Sequence, residues 1–319
     1  MFSYAGAILL STAWLLFSGA ALGQAYPSKP LRFIVPNTPG TVSDLAGRIM
    51  VPEMARILGQ PIIVENKAGA GQVLGLEYVA KQMPPDGYHV AVVSVSTMAI
   101  MPVTVKELRF DPLKDLPPFI GLVEGRYLLG SSSALPWRTF GELVSNARAN
   151  PGKLNYGSPS TGVRLPTEAM LRALKLNVVH VPYNGGGPYL NALVSGEVQM
   201  GLVAESQATS FGERFRVLAV TGGQRLGSLR DVPTFSELGL PQITGLSFSL
   251  NVAAGTPAPI MTALHAAAAQ ALQHPEVRAQ FAKIQMEVTA LSPEAAARNL
   301  AAEGRLFSEI ARDIGLQPQ

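Results

Sequence analysis

Residues 31–58, LRFIVPNTPGTVSDLAGRIMVPEMARIL, decide the fold class. The apolar run 31–35 reads as a strand, the turn formers Pro36, Asn37, Pro39 and Gly40 as a loop, and the remainder as a helix. Helical spacing shows in the apolar positions Leu45/Ala46, Ile49/Met50, Met54 and Ile57/Leu58, with Arg48, Glu53 and Arg56 between them. Thr41 or Ser43 is positioned to cap its start, and Gly59 followed by Pro61 ends it. Pro52 falls inside, where its missing N–H predicts a kink. Such a unit aims unpaired amides and the positive end of a helix dipole at one point, which suits a carboxylate or phosphate. The same stretch also reads as an ordinary strand-to-helix connection, and its local chemistry leaves both readings open.

Working outward, 61–65 (PIIVE) reads as a strand, 66–71 as a Gly-rich loop and 73–82 as a helix closed by the turn 84–87. A third strand, 89–93, is followed by Ser94, Ser96 and Thr97. Three strand-then-helix units argue for a parallel sheet with helices on its faces. Ligands of such sheets bind beyond the carboxyl ends of the strands, where all three loops lie. Residues 102–118, rich in proline and charge, read as a surface connection. A second series follows, with strands at 127–130, 154–156, 178–181, 198–203 and 216–220. Its helices are at 139–150, up to about 174 and through 194, and the polar turns 157–162 and 182–187 again follow strands. A strand-like run at 242–253 precedes Thr256, placed to cap a helix with Pro257 at its first position. Helices 260–273, 275–283 and 293–314 and a strand at 286–289 close the chain. This order suggests two lobes with a cleft between them, and is also consistent with one long sheet.

The chain has 319 residues, 47 % of them hydrophobic and 15 % charged, which places it among folded proteins. Its net charge of +3 is carried by scattered lysines and arginines, so no nucleic acid is expected as a partner. Residues 1–25 hold no charged side chain and form one apolar segment ending in Gly23-Gln24-Ala25, the pattern of a signal peptide cleaved before Tyr26. Its first region lacks Lys and Arg, which leaves an uncleaved anchor open. Cysteine is absent, excluding disulfides and thiol nucleophiles. The mature protein is expected to be exported and soluble, in the periplasm.

Reactive motifs are missing. No P-loop occurs, and Gly69-x-Gly71-x-x-x-Gly75 misses the dinucleotide spacing by one residue. The histidines 89, 180, 265 and 274 lie far apart without metal-type partners, and neither Ser158 nor Ser160 sits in Gly-x-Ser-x-Gly. No local arrangement points to a catalytic pair of acids. Catalytic residues, metal and cofactor are therefore all expected to be none. What remains is a surplus of neutral donors on loops: the backbone of 40–43, Ser94, Ser96, Thr97, Ser158, Ser160, Thr161, Tyr183 and the backbone of 185–187. Each is a plain turn residue on its own, and together they favour a binding cleft.

Several stretches then resemble a known family: YPSKPLRFIVP at 26–36, LGQPIIVENKAGAG at 58–71, PDGY at 85–88 and NPGKLNYGS at 150–158. VHVPYNGG at 179–186, LAVT at 218–221, DVPT at 231–234 and AGTPAP at 254–259 complete the set. In order and spacing the chain is similar to the Bug family, the substrate-binding receptors of tripartite tricarboxylate transporters. The resemblance implies an α/β, two-domain periplasmic-binding-protein (type II) fold with a cleft between lobes and two crossover strands. The division it implies is 26–125 plus 246–319 for the first domain and 126–245 for the second. It implies no catalysis and a small carboxylate ligand held by loop amides, hydroxyls and waters. The expected ligand-facing residues are Asn37, Thr38, Gly40, Thr41, Ser43 and Asp44, then Ser94, Ser96 and Thr97, Ser158, Ser160 and Thr161, and Tyr183 and Gly186. Expected partners are membrane transporter subunits, with the receptor a monomer.

The sequence departs from the family at the first loop, where Pro-Phe-x-Pro-Gly-Gly is usual and Asn37 and Thr41 stand instead. Thr41 adds a hydroxyl and a Cβ, predicting a tighter or reshaped pocket. Where family members carry an Asp-Asn-like pair, this chain has Val203-Ala204-Glu205-Ser206, so Glu205 is the candidate for that acid. Competing readings are a solo receptor for a signalling partner and an exported enzyme using the same cleft. A third is a regulator's effector domain, whose DNA-binding segment would need the place the export signal occupies.

Overall fold

A strand covered on both faces can bury apolar side chains on each of them, and β1 (Leu31–Val35) does so at every position but the exposed Arg32. In the computed structural model, which describes residues 26–318, β1 pairs in parallel with β2 (Ile62–Asn66) on one side and β3 (His89–Ser94) on the other. The expected signal peptide lies outside the described residues. Leu31, Phe33 and Val35 pack on one face against Met50 and Met54 of α1 (Val42–Leu58) and against α9 (Ala258–Gln273). Ile34 faces the opposite core, with Leu76 and Val79, and Met98 of α3 (Val95–Thr104). Each such side chain, fully buried, is worth about 1.5–3 kcal/mol. Helix α1 runs as one element through Pro52 and stops at Gly59, whose φ of 67° supplies the left-handed cap. The helix expected at 73–82 is α2 (Val73–Glu77) continued by a wider π turn, Tyr78–Gln82.

The connection expected at 102–118 is more structured than its composition suggests. Helix α3 extends to Thr104, α4 (Pro112–Asp115) follows, and Phe110 and Leu116 are buried. It leads into β4 (Pro118–Gly125), a strand the sequence reading lacks. Seven of its eight residues are buried, so no polar alternation marks it. It lies between β10 (Leu246–Asn251) and β11 (Met286–Leu291), antiparallel to both, giving a six-stranded sheet of order β11-β4-β10-β3-β1-β2.

A separate sheet is built on β5 (Tyr127–Ser132), antiparallel to β8 (Gly201–Ala204) and β9 (Phe215–Val220). The parallel pair β6 (Asn155–Ser158) and β7 (Val179–Pro182) joins it through a bridge between Tyr156 and Met200. Two sheets replace the alternative of a single long one. Helices α5 (Phe140–Ala149), α6 (Thr161–Ala173) and α7 (Gly186–Ser195) accompany this sheet. The Thr139 hydroxyl accepts from the Glu142 amide to cap α5. At α9 the cap is shifted: Pro257 is the N-cap, and the Thr256 hydroxyl donates to the Ala253 carbonyl instead.

The chain crosses between the sheets twice, through 125–126 and 221–245. At the crossing Gly245 lies against Gly125, and a Cβ at 245 would overlap the Gly125 carbonyl oxygen. The Arg126 guanidinium ties the region together, donating to the Thr221 and Gln224 carbonyls at 2.9 and 2.6 Å and to Glu287 at 2.9 Å. After α10 (Pro275–Lys283), helix α11 (Pro293–Asp313) spans both parts. Its Leu300, Phe307 and Ile310 share a core with Met98 of α3 and with Leu165 and Ala169 of α6, and Arg172 pairs with Asp313 at 3.0 Å.

Candidate functional site

The loop after β1 is organised from within by one buried acid. Asp44, 2 % exposed, accepts from the Gly40 amide at 2.9 Å, from Arg48 Nε at 3.0 Å and from Asn66 Nδ2 at 2.9 Å. Burial raises its pKa, but the bonds from Arg48, Gly40 and Asn66 outweigh that and hold the carboxyl below its ordinary value. Asp44 is thus the brace of the loop, with its oxygens already engaged. Gly40, at φ +84°, turns the chain so that its own N–H meets that carboxylate, and is likewise committed. Asn37 Nδ2 donates to Ser43 Oγ at 2.7 Å, and the Thr41 hydroxyl donates to the Thr38 carbonyl at 3.0 Å. Thr41 is the N-cap of α1 by position, without a side-chain cap bond. The amides of Thr41, Val42 and Ser43 have no acceptor among the described residues, and they are the unused donors at this helix start.

The loop after β2 supplies two residues that sequence reasoning missed. Asn66 Nδ2 also donates to the Asn37 carbonyl at 2.9 Å, and Asn66 Oδ1 accepts from Arg48 at 3.1 Å, so this one amide locks the first two loops together. Gln72 Nε2 reaches Thr97 Oγ1 at 3.4 Å, and Thr97 donates to Ser94 Oγ at 3.1 Å. The buried Gln72 Oε1 has no donor among the described residues. Ser94 ends β3, and Ser96 and Thr97 open α3, so all three stand at the carboxyl edge of the parallel strands. The first nine expected residues therefore gather at one edge.

In the second sheet Ser158 ends β6 and is 4 % exposed, with its Oγ 2.7 Å from His180 Nε2. The His180 ring lies over Tyr156 at a centroid distance of 5.0 Å. Burial lowers the His180 pKa to about 4, helped by the Arg164 charge, so the imidazole is neutral. His180, set aside in the sequence for want of metal-type partners, is the partner of an expected site residue. Ser160 caps α6 by position without a side-chain bond, and Thr161 is its first residue. Gly186 opens α7 after Gly185, at φ +99°. Tyr183 is engaged elsewhere: its hydroxyl donates to Glu197 at 2.9 Å and its ring packs near Tyr189.

Glu205 is held apart from these. It opens the five-residue helix α8 (Glu205–Thr209), its amide donates to the Arg126 carbonyl at 3.1 Å, and it lines a cavity of about 230 Å³ with Leu128, Phe215 and Leu226. Burial raises its pKa and Arg126 opposes the rise. A larger hollow of about 650 Å³, lined by Lys106, Arg109 and Phe110, includes none of the expected residues.

Two sheets joined by two crossovers, with polar groups gathered at strand and helix ends, are the architecture of the periplasmic-binding-protein fold, and the solved structure of the periplasmic binding protein BugD superposes on it with a TM-score of 0.67 at 25 % identity, over 92 % of this chain and 100 % of that one. More particularly, the chain belongs to the tripartite tricarboxylate transporter family of receptors (TctC), whose profile matches residues 46–316. It is 34 % identical over 293 residues to a UPF0065 protein encoded in the gbd 5' region of Cupriavidus necator, covering 87 % of this chain and 88 % of that one. The solved structure of a TctC solute-binding protein from Polaromonas with no ligand superposes with a TM-score of 0.80 at 25 % identity, over 90 % of this chain and 99 % of that one. The R. palustris protein Rpa4515 with adipate gives 0.70 at 28 % identity, over 92 % and 100 %.

Proposed function

We propose that this protein is a periplasmic receptor that captures a small carboxylate and hands it to the membrane subunits of a tripartite transporter. The unused Thr41, Val42 and Ser43 amides at the start of α1 carry this reading. A helix start presents N–H donors and partial positive charge, which replace part of the hydration a carboxylate loses on entering a cleft. The Ser94 hydroxyl, and the Ser160 hydroxyl that makes no cap bond, add neutral donors from each sheet. The adipate bound by a relative of this fold supports the ligand class.

Binding proceeds by closure of residues 126–245 against 26–125 plus 246–319, about the two crossovers. The better superposition on the Polaromonas protein with no ligand than on the adipate complex supports reading the present arrangement as open. Export by cleavage before Tyr26 completes the proposal. A thermal-shift screen of the mature chain against mono-, di- and tricarboxylates, amino acids and neutral analogues tests it. A ligand at 100 times its Kd stabilises by about 2.7 kcal/mol. A shift only with neutral compounds would sink the ligand class. Thr41→Pro then tests the donors. Thr41 has φ −73°, which proline accepts, so the change removes the N–H with little strain. Affinity is expected to fall about tenfold, roughly one hydrogen bond to a charged group, whereas Thr41→Val keeps the N–H and the affinity.

A further inference from the structure

Arg164, beside the second sheet, is a cation that the chain itself leaves underused. It closes the first turn of α6, three residues after Thr161 and four before Glu168, so the three share one face of the helix. That face covers the β6 and β7 pair on the side of Tyr156, Ser158 and His180. Tyr156 and Ser158 alternate with Gly157 along β6, and Tyr156 stands opposite His180. Gly157 faces the other way, where a Cβ would meet Tyr183 and Tyr189. The Tyr156 hydroxyl donates to Glu168, and the charge of Arg164 acts on both Tyr156 and His180. With Ser158 Oγ 2.7 Å from His180 Nε2, the five side chains form one cluster between the end of β6 and the start of α6.

Within that cluster the guanidinium lacks a bonded acceptor. Its Nε is buried and unpaired among the described residues, and it approaches Glu168 Oε1 only to 3.8 Å, beyond hydrogen-bond range. Glu168 spends that same oxygen on Tyr156. The Arg164 side chain is 25 % exposed, so part of the planar fork meets solvent. Long helical side chains lean toward the helix start, and here that is the turn carrying Ser160 and Thr161. A guanidinium left short of acceptors is costly, and a carboxylate answers it with two parallel bonds. The first edge works differently. Arg48, its arginine, is already bonded to Asp44 and Asn66, and the unused donors there are uncharged amides. A ligand with a single carboxylate, seated on those amides, leaves Arg164 unanswered.

We propose that Arg164 reads a second anionic group, so that the preferred ligand is a diacid spanning the cleft, one end on the α1 amides and the other on the Arg164 fork. The inference rests on the carboxylate reading above and adds to it a charge at the far end of the ligand. Ser158 and His180 then serve as neutral neighbours of that end, and the specificity between one acid group and two resides in Arg164.

The test is calorimetric titration of the mature protein with straight-chain diacids from malonate to suberate, each run beside its monoamide, which keeps the shape and one carboxylate and loses the second charge. At the best chain length the diacid should bind about ten- to a hundredfold more tightly, the worth of hydrogen bonds to a charged group. R164Q should fold, because the exchange leaves Glu168 its bond to Tyr156, and should bring the two affinities together by weakening the diacid. R164K, which returns the charge without the planar fork, should fall in between. R172Q removes a half-exposed arginine farther along the same helix, paired with Asp313, and should leave the ratio unchanged. A ratio that survives both R164Q and R164K, or one that falls as far in R172Q, would overturn the role of Arg164. Binding of a monoamide with no gain from the diacid would overturn it too, while leaving the carboxylate reading intact. If neither diacid nor monoamide binds, that reading fails and the role of Arg164 falls with it.

Discussion

The loops of the two sheets are braced in different ways. Beyond β1 and β2 the bonds run between loops: Asp44 and Asn37 are both held by Asn66, some twenty to thirty residues away in sequence. Beyond β6 and β7 they form separate pairs, Ser158 with His180 and Tyr183 with Glu197. In the proposed receptor the first edge is a preorganised platform, its loops cross-braced before any ligand arrives, which lowers the ordering cost of binding. The second edge consists of independently supported groups, suited to a part that moves onto the ligand.

The largest expected effect is on the platform. Asp44→Ala removes the acceptor of three donors and leaves Arg48 and Asn66 underpaired, which should cost about 3 kcal/mol. For a chain of this size that is a fall in Tm of about 5 °C by calorimetry, with a parallel loss of ligand affinity. The pH dependence has a definite sign. A carboxyl whose folded pKa is depressed contributes stability at neutral pH, and that contribution drains away as pH falls through the folded value. Asp44→Asn should therefore flatten the acid limb of stability against pH; an unchanged limb would mean that the loop is not braced by charge.

His180 should have a smaller effect, of opposite origin. Its folded pKa of about 4 lies below the ordinary 6.5, so between those values the unfolded chain takes up a proton that the folded one refuses. Stability should decline through that window, and His180→Gln should remove the decline while leaving melting at neutral pH nearly unchanged. Tyr183→Phe should have the least effect, within about 0.5 kcal/mol, and no effect on ligand affinity, because the hydroxyl serves Glu197. A tenfold loss of affinity in Tyr183→Phe would return that residue to the ligand and erase the contrast between the two edges.

The sequence reading succeeded where local rules apply. Strand 31–35, helix 42–58 and its Gly59 stop follow from period and cap chemistry. It failed at β4, where Phe119, Ile120, Leu122 and Val123 are buried on both faces and Pro117 and Pro118 at its entry disguise a strand. That polar turns gather at the carboxyl edge of the parallel strands was legible, because such turns follow the strands in order. Which side chains would be free was not. Asp44 and Gly40 are spent on each other, Asn66 and Gln72 act across loops, and His180 meets Ser158 from another strand. Such pairings are set by tertiary register and leave no local signature.

The central claim is that amides and hydroxyls here are set for a carboxylate. Its most direct test is calorimetric titration of the mature protein with the best carboxylate from the screen and with the same compound as its primary amide. The account predicts that the acid binds at least about a hundredfold more tightly, since charge-assisted bonds from fixed donors are lost with the charge. Equal affinities for the acid and the amide would contradict it.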